Sequence, residues 1–210
     1  MPRKNLFNTK VPIVTNYNYA FFRRILGVIK NEIIPKTRIG VKKGNKIFGA
    51  AIVKKGSLDL ITAETNNEIE NPLFHGEISC LNKFFQEQKG KNCNELIFLS
   101  THEPCSMCLS AIAWAGFNEV YYFFSHQDSR DEFGIPHDLK ILKELFNIEP
   151  GGYNKTNSFL NCFSIINLIN ALDPEIRSNL LDEVSSIKTE YEYLSSIYQD
   201  NKHGNSIPLK

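Results

Sequence analysis

The feature that most constrains this chain is an alternation of short apolar runs with helical periodicities. ELIFLST (95–101) is nearly continuous in apolar residues, as strands buried on both faces are, and the Ala- and Leu-rich CLSAIAWAGF (108–117) suits a tightly packed helix. EVYYFF (119–124) repeats the strand pattern, and HDLKILKELF (137–146) sets Leu139, Leu142, Leu145 and Phe146 on one helical face. Upstream, IFGAAIVKKG (47–56) and LDLITAE (58–64), joined through Gly56-Ser57, predict a β-hairpin. From His75 onward, Ile78, Leu81 and Phe85 recur at helical spacing until Gly90. The order β-β-α-β-α-β-α implies a three-layer α/β fold, with a mixed central sheet flanked by helices.

Two terminal regions frame this block. YNYAFFRRILGVIKNEII (17–34) predicts a helix that stops at Pro35. Beyond Pro150-Gly151-Gly152 the alternation ends, and two helices are expected: SFLNCFSIINLINAL (158–172), and one from Asp173-Pro174-Glu175 with Asp173 as N-cap. Residues 1–150, N-terminal helix included, therefore read as a catalytic domain and 151–210 as a helical C-terminal extension packed on it, ending in a loose tail over NKHGNSIPLK.

Bulk properties exclude more than they assign. MPRKNLFNTKVPIVTNYNY lacks the apolar core of a signal peptide and no later run is long enough to span a bilayer, so a cytoplasmic protein without a membrane partner is expected. The five cysteines are an odd number, scattered apart from Cys105 and Cys108, which does not read as a disulfide framework. Charge is lopsided: residues 1–60 hold 13 Lys/Arg against 2 Asp/Glu, and the remainder 11 against 21. That asymmetry suits either a phosphate-binding face or basic and acidic parts lying side by side in the fold.

The chemistry gathers around THEPCSMC (101–108). Cys105 and Cys108, three apart at the start of a predicted helix, face the same way and can share one ion, and the helix N-terminus favours the thiolate. Cys80, Cys93 and Cys162 are single, so a closed four-ligand cage is not expected; an open site with three ligands and one water is. His75, at the start of the preceding helix, fits as the third ligand, and Glu77 two positions on is placed to carry a proton from water. A thioredoxin-like redox pair or a non-catalytic zinc module uses a similar cysteine spacing, but neither needs the histidine and the carboxylate.

His75-Gly76-Glu77 with Pro104-Cys105-Ser106-Met107-Cys108 resembles the zinc-dependent cytidine deaminase superfamily over roughly residues 40–147. HGEIS is similar to fungal cytosine deaminase, and EPCSMCLSAIAWA to bacterial guanine deaminases and tRNA adenosine deaminases. The resemblance implies a three-layer cytidine-deaminase-like fold with a mixed central sheet of about five strands flanked by helices, Zn²⁺ held by His75, Cys105 and Cys108, attack of a zinc hydroxide on the ring carbon bearing an exocyclic amine, Glu77 as proton shuttle, and loss of ammonia. It also implies substrate contacts from Asn66 ahead of the histidine and from His137 or Asp138 in DEFGIPHDL, although Asp138 could equally cap the helix that follows. Phe74 and Trp114 are candidate pocket walls, with core packing as the alternative for each. His102 and Glu103 could support the metal from behind; His126 and His203 read as surface residues. The implied substrate is a free nucleobase or nucleoside with a guanine- or cytosine-like amine, handled by a homodimer. The alternative is adenosine in tRNA, for which the stretch after the fourth strand, HQDSRDEFGIPHD, lacks resemblance.

Overall fold

The computed structural model describes residues 17–88, 92–149 and 152–210. Five strands form one sheet in the order β2-β1-β3-β4-β5, from β1 (Gly49–Lys54), β2 (Leu60–Thr65), β3 (Leu96–His102), β4 (Glu119–Phe124) and β5 (Asn161–Ser164). β1 runs antiparallel to both β2 and β3, whereas β4 is parallel to β3 and to β5. Both faces of the central strands are covered, which explains their continuous apolar runs. Ala51, Val53, Ile97, Leu99, Tyr121 and Phe123 face one layer. The alternating Ala50, Ile52, Phe98, Val120 and Tyr122 face the other.

The first layer holds α1 (Tyr19–Val28), α2 (Ile34–Lys42), α7 (Ile165–Asn170) and α8 (Pro174–Asn201), with α8 packed on α1 and α2. The second holds α3 (Gly76–Glu87) and α4 (Ser106–Trp114). Two shorter helices, α5 (His126–Asp131) and α6 (His137–Phe146), follow β4 at the same end of the sheet where α3 and α4 begin. The three-layer α/β fold with a mixed sheet is thus the one the alternation implies, with a fifth strand beyond the four it located.

Four details correct the sequence expectations. Pro35 does not stop the first helix: a five-residue π turn at Ile29–Ile33 intervenes, and Pro35 then sits in the first turn of α2, where its missing N–H costs nothing. SFLNCFSIINLINAL is not one helix, because Asn161–Ser164 pairs with β4 as the fifth strand and only Ile165–Asn170 is helical. The segment after residue 150 therefore completes the sheet as well as packing on it, and the boundary drawn there cuts through one layer. The last residues are docked rather than loose: Asn205 Nδ2 donates to the Gly44 carbonyl at 2.9 Å, and Ile207 is buried. Asp173 does stand at the N-cap of α8, but its side chain makes no capping hydrogen bond. Gly90, expected to end α3, lies outside the described residues, as do Pro150 and Gly151.

Five of the thirteen basic residues among the first sixty are paired with acidic ones. Lys36 pairs with Glu64, Arg38 with Glu190, Lys46 with Glu68, Lys54 with Asp59 and Lys55 with Glu119. For these five, basic and acidic parts lie side by side, while Arg23, Arg24 and Lys30 gather along one face of α1 and the π turn.

Candidate metal centre

Two helix N-termini build the site. α3 follows β2 and α4 follows β3, two strands of the same direction, so the first turns of both helices converge beyond the carboxyl ends of the strands, where open α/β sheets place their ligands. The approach is close because two glycines meet: a Cβ on Gly76 would stand 2.6 Å from the Gly49 Cα of β1. That contact sets His75, the N-cap of α3, against Cys105, the N-cap of α4.

His75 Nδ1 lies 3.7 Å from Cys105 Sγ and 3.7 Å from Cys108 Sγ. A tetrahedral zinc with ordinary Zn–S and Zn–N bonds separates its sulfur and nitrogen ligands by about 3.6 Å, so the three side chains fit the ion as they stand. They form the one His/Cys/carboxylate cluster of metal-binding geometry among the described residues. The other face of the ring is also engaged, with Nε2 3.8 Å from Glu68 Oε1. A carboxylate behind a ligating imidazole fixes its orientation and raises its basicity. Glu68 in turn accepts from Lys46 Nζ at 2.7 Å and from Asn66 Nδ2 at 2.7 Å.

Electrostatics divide the ligands. The Cys108 hydrogen bond, helped by the neighbouring His75, holds the Cys105 thiol well below its ordinary range against the opposing effect of burial. Burial and the adjacent Cys105 push Cys108 well above its own. Burial opposes charge on His75, but Cys105 outweighs it, and the imidazole rises to about 9.

Glu77 is 4% exposed and accepts from Ser100 Oγ at 2.9 Å. Its charge raises both His75 and Cys108, as befits a carboxyl beside the cluster. Burial and then Cys105 raise its pKa, with His75 only partly offsetting them. Asp138 and His137, at the start of α6, line the cavity over the centre. Burial, followed by the Cys105 charge, pushes Asp138 up to about 8.

Glu103 anchors the cysteine turn from behind. It accepts from Tyr153 Oη, from Lys155 Nζ and, at 3.1 Å, from the backbone N–H of His126. His126 Nε2 donates to the carbonyl of Pro104 at 3.2 Å. Burial alone would raise Glu103, but His126, Lys155 and Tyr153 outweigh it and hold the carboxyl low.

The structure thus joins His75, Glu77, Cys105, Cys108, His137 and Asp138 in one place. Asn66 is adjacent but occupied: its Oδ1 accepts from Gly76 N at 2.5 Å while Nδ2 serves Glu68, so it ties the loop to the helix instead of facing the cavity. Phe74 is half-buried outside the cavity lining. Trp114 neither lines the pocket nor enters the core, being 92% exposed at the end of α4. His102 packs into the opposite layer among Phe48, Phe124, Phe133 and Tyr191, away from the ligands. His126, expected at the surface, is buried. Lys46, Glu68 and Ser100 escaped notice. Ser100 sits in an apolar run, and the Lys46–Glu68 pair spans 22 residues with no local pattern to mark it.

Comparison with known proteins agrees with this geometry. Residues 32–124 match the family model for the cytidine and deoxycytidylate deaminase zinc-binding region. The chain is similar to guanine deaminase of Bacillus subtilis (strain 168), 36% identical over 101 residues, which is 47% of this chain and 62% of that protein. It is 31% identical to the tRNA-specific adenosine deaminase of Rickettsia bellii (strain RML369-C) over 93 residues, 43% of this chain and 64% of that one. The match thus spans just under two thirds of each relative's length. Among solved structures, a mutant protein in complex with 8-azaguanine aligns at TM-score 0.50 and 14% identity over 80% of this chain and 85% of that one, a likeness of fold. Residues 32–124, with the His-Cys-Cys cluster of zinc geometry inside them, thus match a cytidine and deoxycytidylate deaminase zinc-binding region, which supports the cytidine deaminase superfamily for this part of the chain.

Proposed function

We propose that this protein is a zinc-dependent hydrolytic deaminase of a free nucleobase or nucleoside bearing a guanine- or cytosine-like amine, working in the cytoplasm as a homodimer. The observation that carries the reading is the Glu77 carboxyl, buried beside the His75, Cys105 and Cys108 cluster and kept high in pKa by that burial. A purely structural metal site has no use for such a group, whereas a carboxyl that can both take and give a proton is what amine hydrolysis needs. The five free thiols suit a reducing compartment.

Zinc at this centre supplies a Lewis acid that makes water nucleophilic at neutral pH. The chain's own groups do the rest. Glu77 takes one proton from the attacking water and gives it to the ring nitrogen, then takes the second from the new hydroxyl and gives it to the amine, which leaves as ammonia. Ser100 fixes one oxygen of that carboxyl beside the cluster. Glu68 holds the His75 ring in its ligating orientation, with Lys46 and Asn66 holding Glu68. Asp138, enclosed and protonated more readily than an ordinary aspartate, is placed to accept from or donate to a heterocycle edge. Among the described residues no helix is long and apolar enough to cross a membrane.

The test is ammonia release by the zinc-loaded protein from guanine, cytosine, adenine, their nucleosides and an adenosine-containing tRNA anticodon stem-loop. Turnover of a free base or nucleoside is the expected result. Turnover of the stem-loop alone would replace this reading with tRNA deamination, and no ammonia from any of them with zinc bound would overturn it.

A further inference from the structure

The metal centre opens into a cavity of about 460 Å³, a size that suits a drug-sized ligand and leaves space beyond a bare base. Its floor is polar, with Lys46, Glu68, His75 and Asp138. Its walls and mouth are apolar: Leu73 from the loop before α3, Ile141, Leu145 and Phe146 from α6, and Ile207 and Leu209 from the C-terminal segment. The exposure of the rim is notable for side chains of this kind: Leu73 58%, Leu145 74%, Phe146 54% and Leu209 51%. α6 shows the contrast within one helix, since Leu139 and Leu142 on the same apolar stripe are buried in the fold while Leu145 and Phe146 are left in water around the opening. Large apolar side chains gathered at one mouth mark a surface for an apolar ligand.

The cations facing this space are already engaged. Lys46 and Glu68 form a buried ion pair, their side chains 6% and 2% exposed. His137 Nε2 donates to the Lys210 carbonyl at 3.0 Å, and His75 belongs to the metal cluster. Among the described lining residues no cation is left for a phosphate, whose burial here would go uncompensated.

Resting on the deaminase reading, the geometry points to an amino-heterocycle that carries an apolar substituent, and not to a nucleotide or a base within RNA, as the substrate class. The amine-bearing ring edge lies on the polar floor, and the substituent extends between α6, Leu73 and the C-terminal segment. The reaction is redox-neutral: the ring C–NH₂ bond breaks, a C–O bond to water forms, one water proton ends on the ring nitrogen and the other on the departing amine, which leaves as ammonia. The substituent takes no part in bond making. Its contacts are the same in ground and transition states, so they lower KM and leave kcat nearly unchanged.

The test compares guanine with 9-benzylguanine and GMP, and cytosine with 1-benzylcytosine and CMP, as substrates of the zinc-loaded full chain. In parallel, equilibrium binding of the same six compounds to zinc-loaded Glu77→Gln separates recognition from turnover. The expected result is a kcat/KM for a benzyl compound at least tenfold above its parent, carried mainly by KM, with the monophosphates lowest. Leu145→Ser and Leu209→Ser should each reduce the benzyl-to-parent ratio several-fold. Ammonia release that favours the parent base or the monophosphate would overturn the apolar-substituent inference while leaving the deaminase reading standing. No ammonia from any compound, with the benzyl forms still binding at least tenfold tighter, would uphold the apolar site and overturn the deaminase reading. Neither turnover nor a binding preference would overturn both.

Discussion

Two buried carboxylates flank the metal centre, one on each side of the cysteine turn, and their surroundings are opposite. Glu103, behind the turn, is met by Lys155, Tyr153 and the N–H of His126, so its charge is compensated and its pKa held low. Glu77, in front, accepts from the Ser100 hydroxyl and has no lysine or arginine partner among the described residues, and burial drives its pKa up. Equal burial therefore does not give equal roles. A carboxylate with every lone pair matched is a strut, and one kept short of partners is poised to exchange protons.

The difference can be broken most sharply by removing each charge in turn. Glu77→Gln should lower turnover by about 10²–10⁴-fold, the usual worth of general acid–base catalysis, with zinc still bound. Glu103→Gln should leave turnover within about tenfold but weaken the fold by roughly 1–3 kcal/mol, since a buried acceptor and its donors are mismatched. Thermal denaturation and ammonia assays on both proteins check this, and similar profiles for the two variants would erase the distinction.

The two groups should also give stability opposite slopes with pH. The raised pKa of Glu77 means that the folded metal-free protein binds its proton more tightly than the unfolded chain, so this group's contribution falls as pH rises above the ordinary carboxylate range. The depressed pKa of Glu103 means the reverse: its contribution is present at neutral pH and lost on acidification through its folded value. Melting of metal-free Glu77→Gln at pH 7 should therefore occur above that of wild type, and melting of Glu103→Gln below it.

Smaller effects sharpen the picture of the support. Glu68→Gln should weaken zinc binding about 10–100-fold, as loss of a carboxylate behind a ligating histidine generally does. Zinc affinity of the wild type should rise with pH from 6 to 8, because His75 (about 9) and Cys108 (raised) must both give up protons to bind metal. Competition titrations with a chelator at each pH measure both, and a flat profile would contradict the ligand assignment. Trp114→Ala, at a fully solvated position, should change stability by no more than about 0.5 kcal/mol and kcat/KM not at all.

What could be read from sequence follows from how local each signal is. The alternating runs located four strands and the helices between them because periodicity is written within each segment. The fifth strand, Asn161–Ser164, hid inside SFLNCFSIINLINAL because four residues beside a helical run carry too little period of their own. The π turn before Pro35 was illegible for a related reason, since the proline signal is the same whether a helix ends or shifts register. His75, Glu77, Cys105 and Cys108 stood out by spacing. Glu68 and Lys46 are defined only by tertiary contact, as is the inward turn of the final residues that brings Ile207 to the cavity. Trp114 misled because an aromatic on an Ala-rich helix gives no hint of which face is left in water.

The most direct test of zinc-dependent deamination is to follow ammonia release from the best free-base or nucleoside substrate while zinc is removed by chelation and then added back, with bound metal measured on the same samples. The expected result is activity proportional to zinc occupancy, rising to one ion per chain and returning on re-addition. Ammonia release that persists in the zinc-free protein would contradict it.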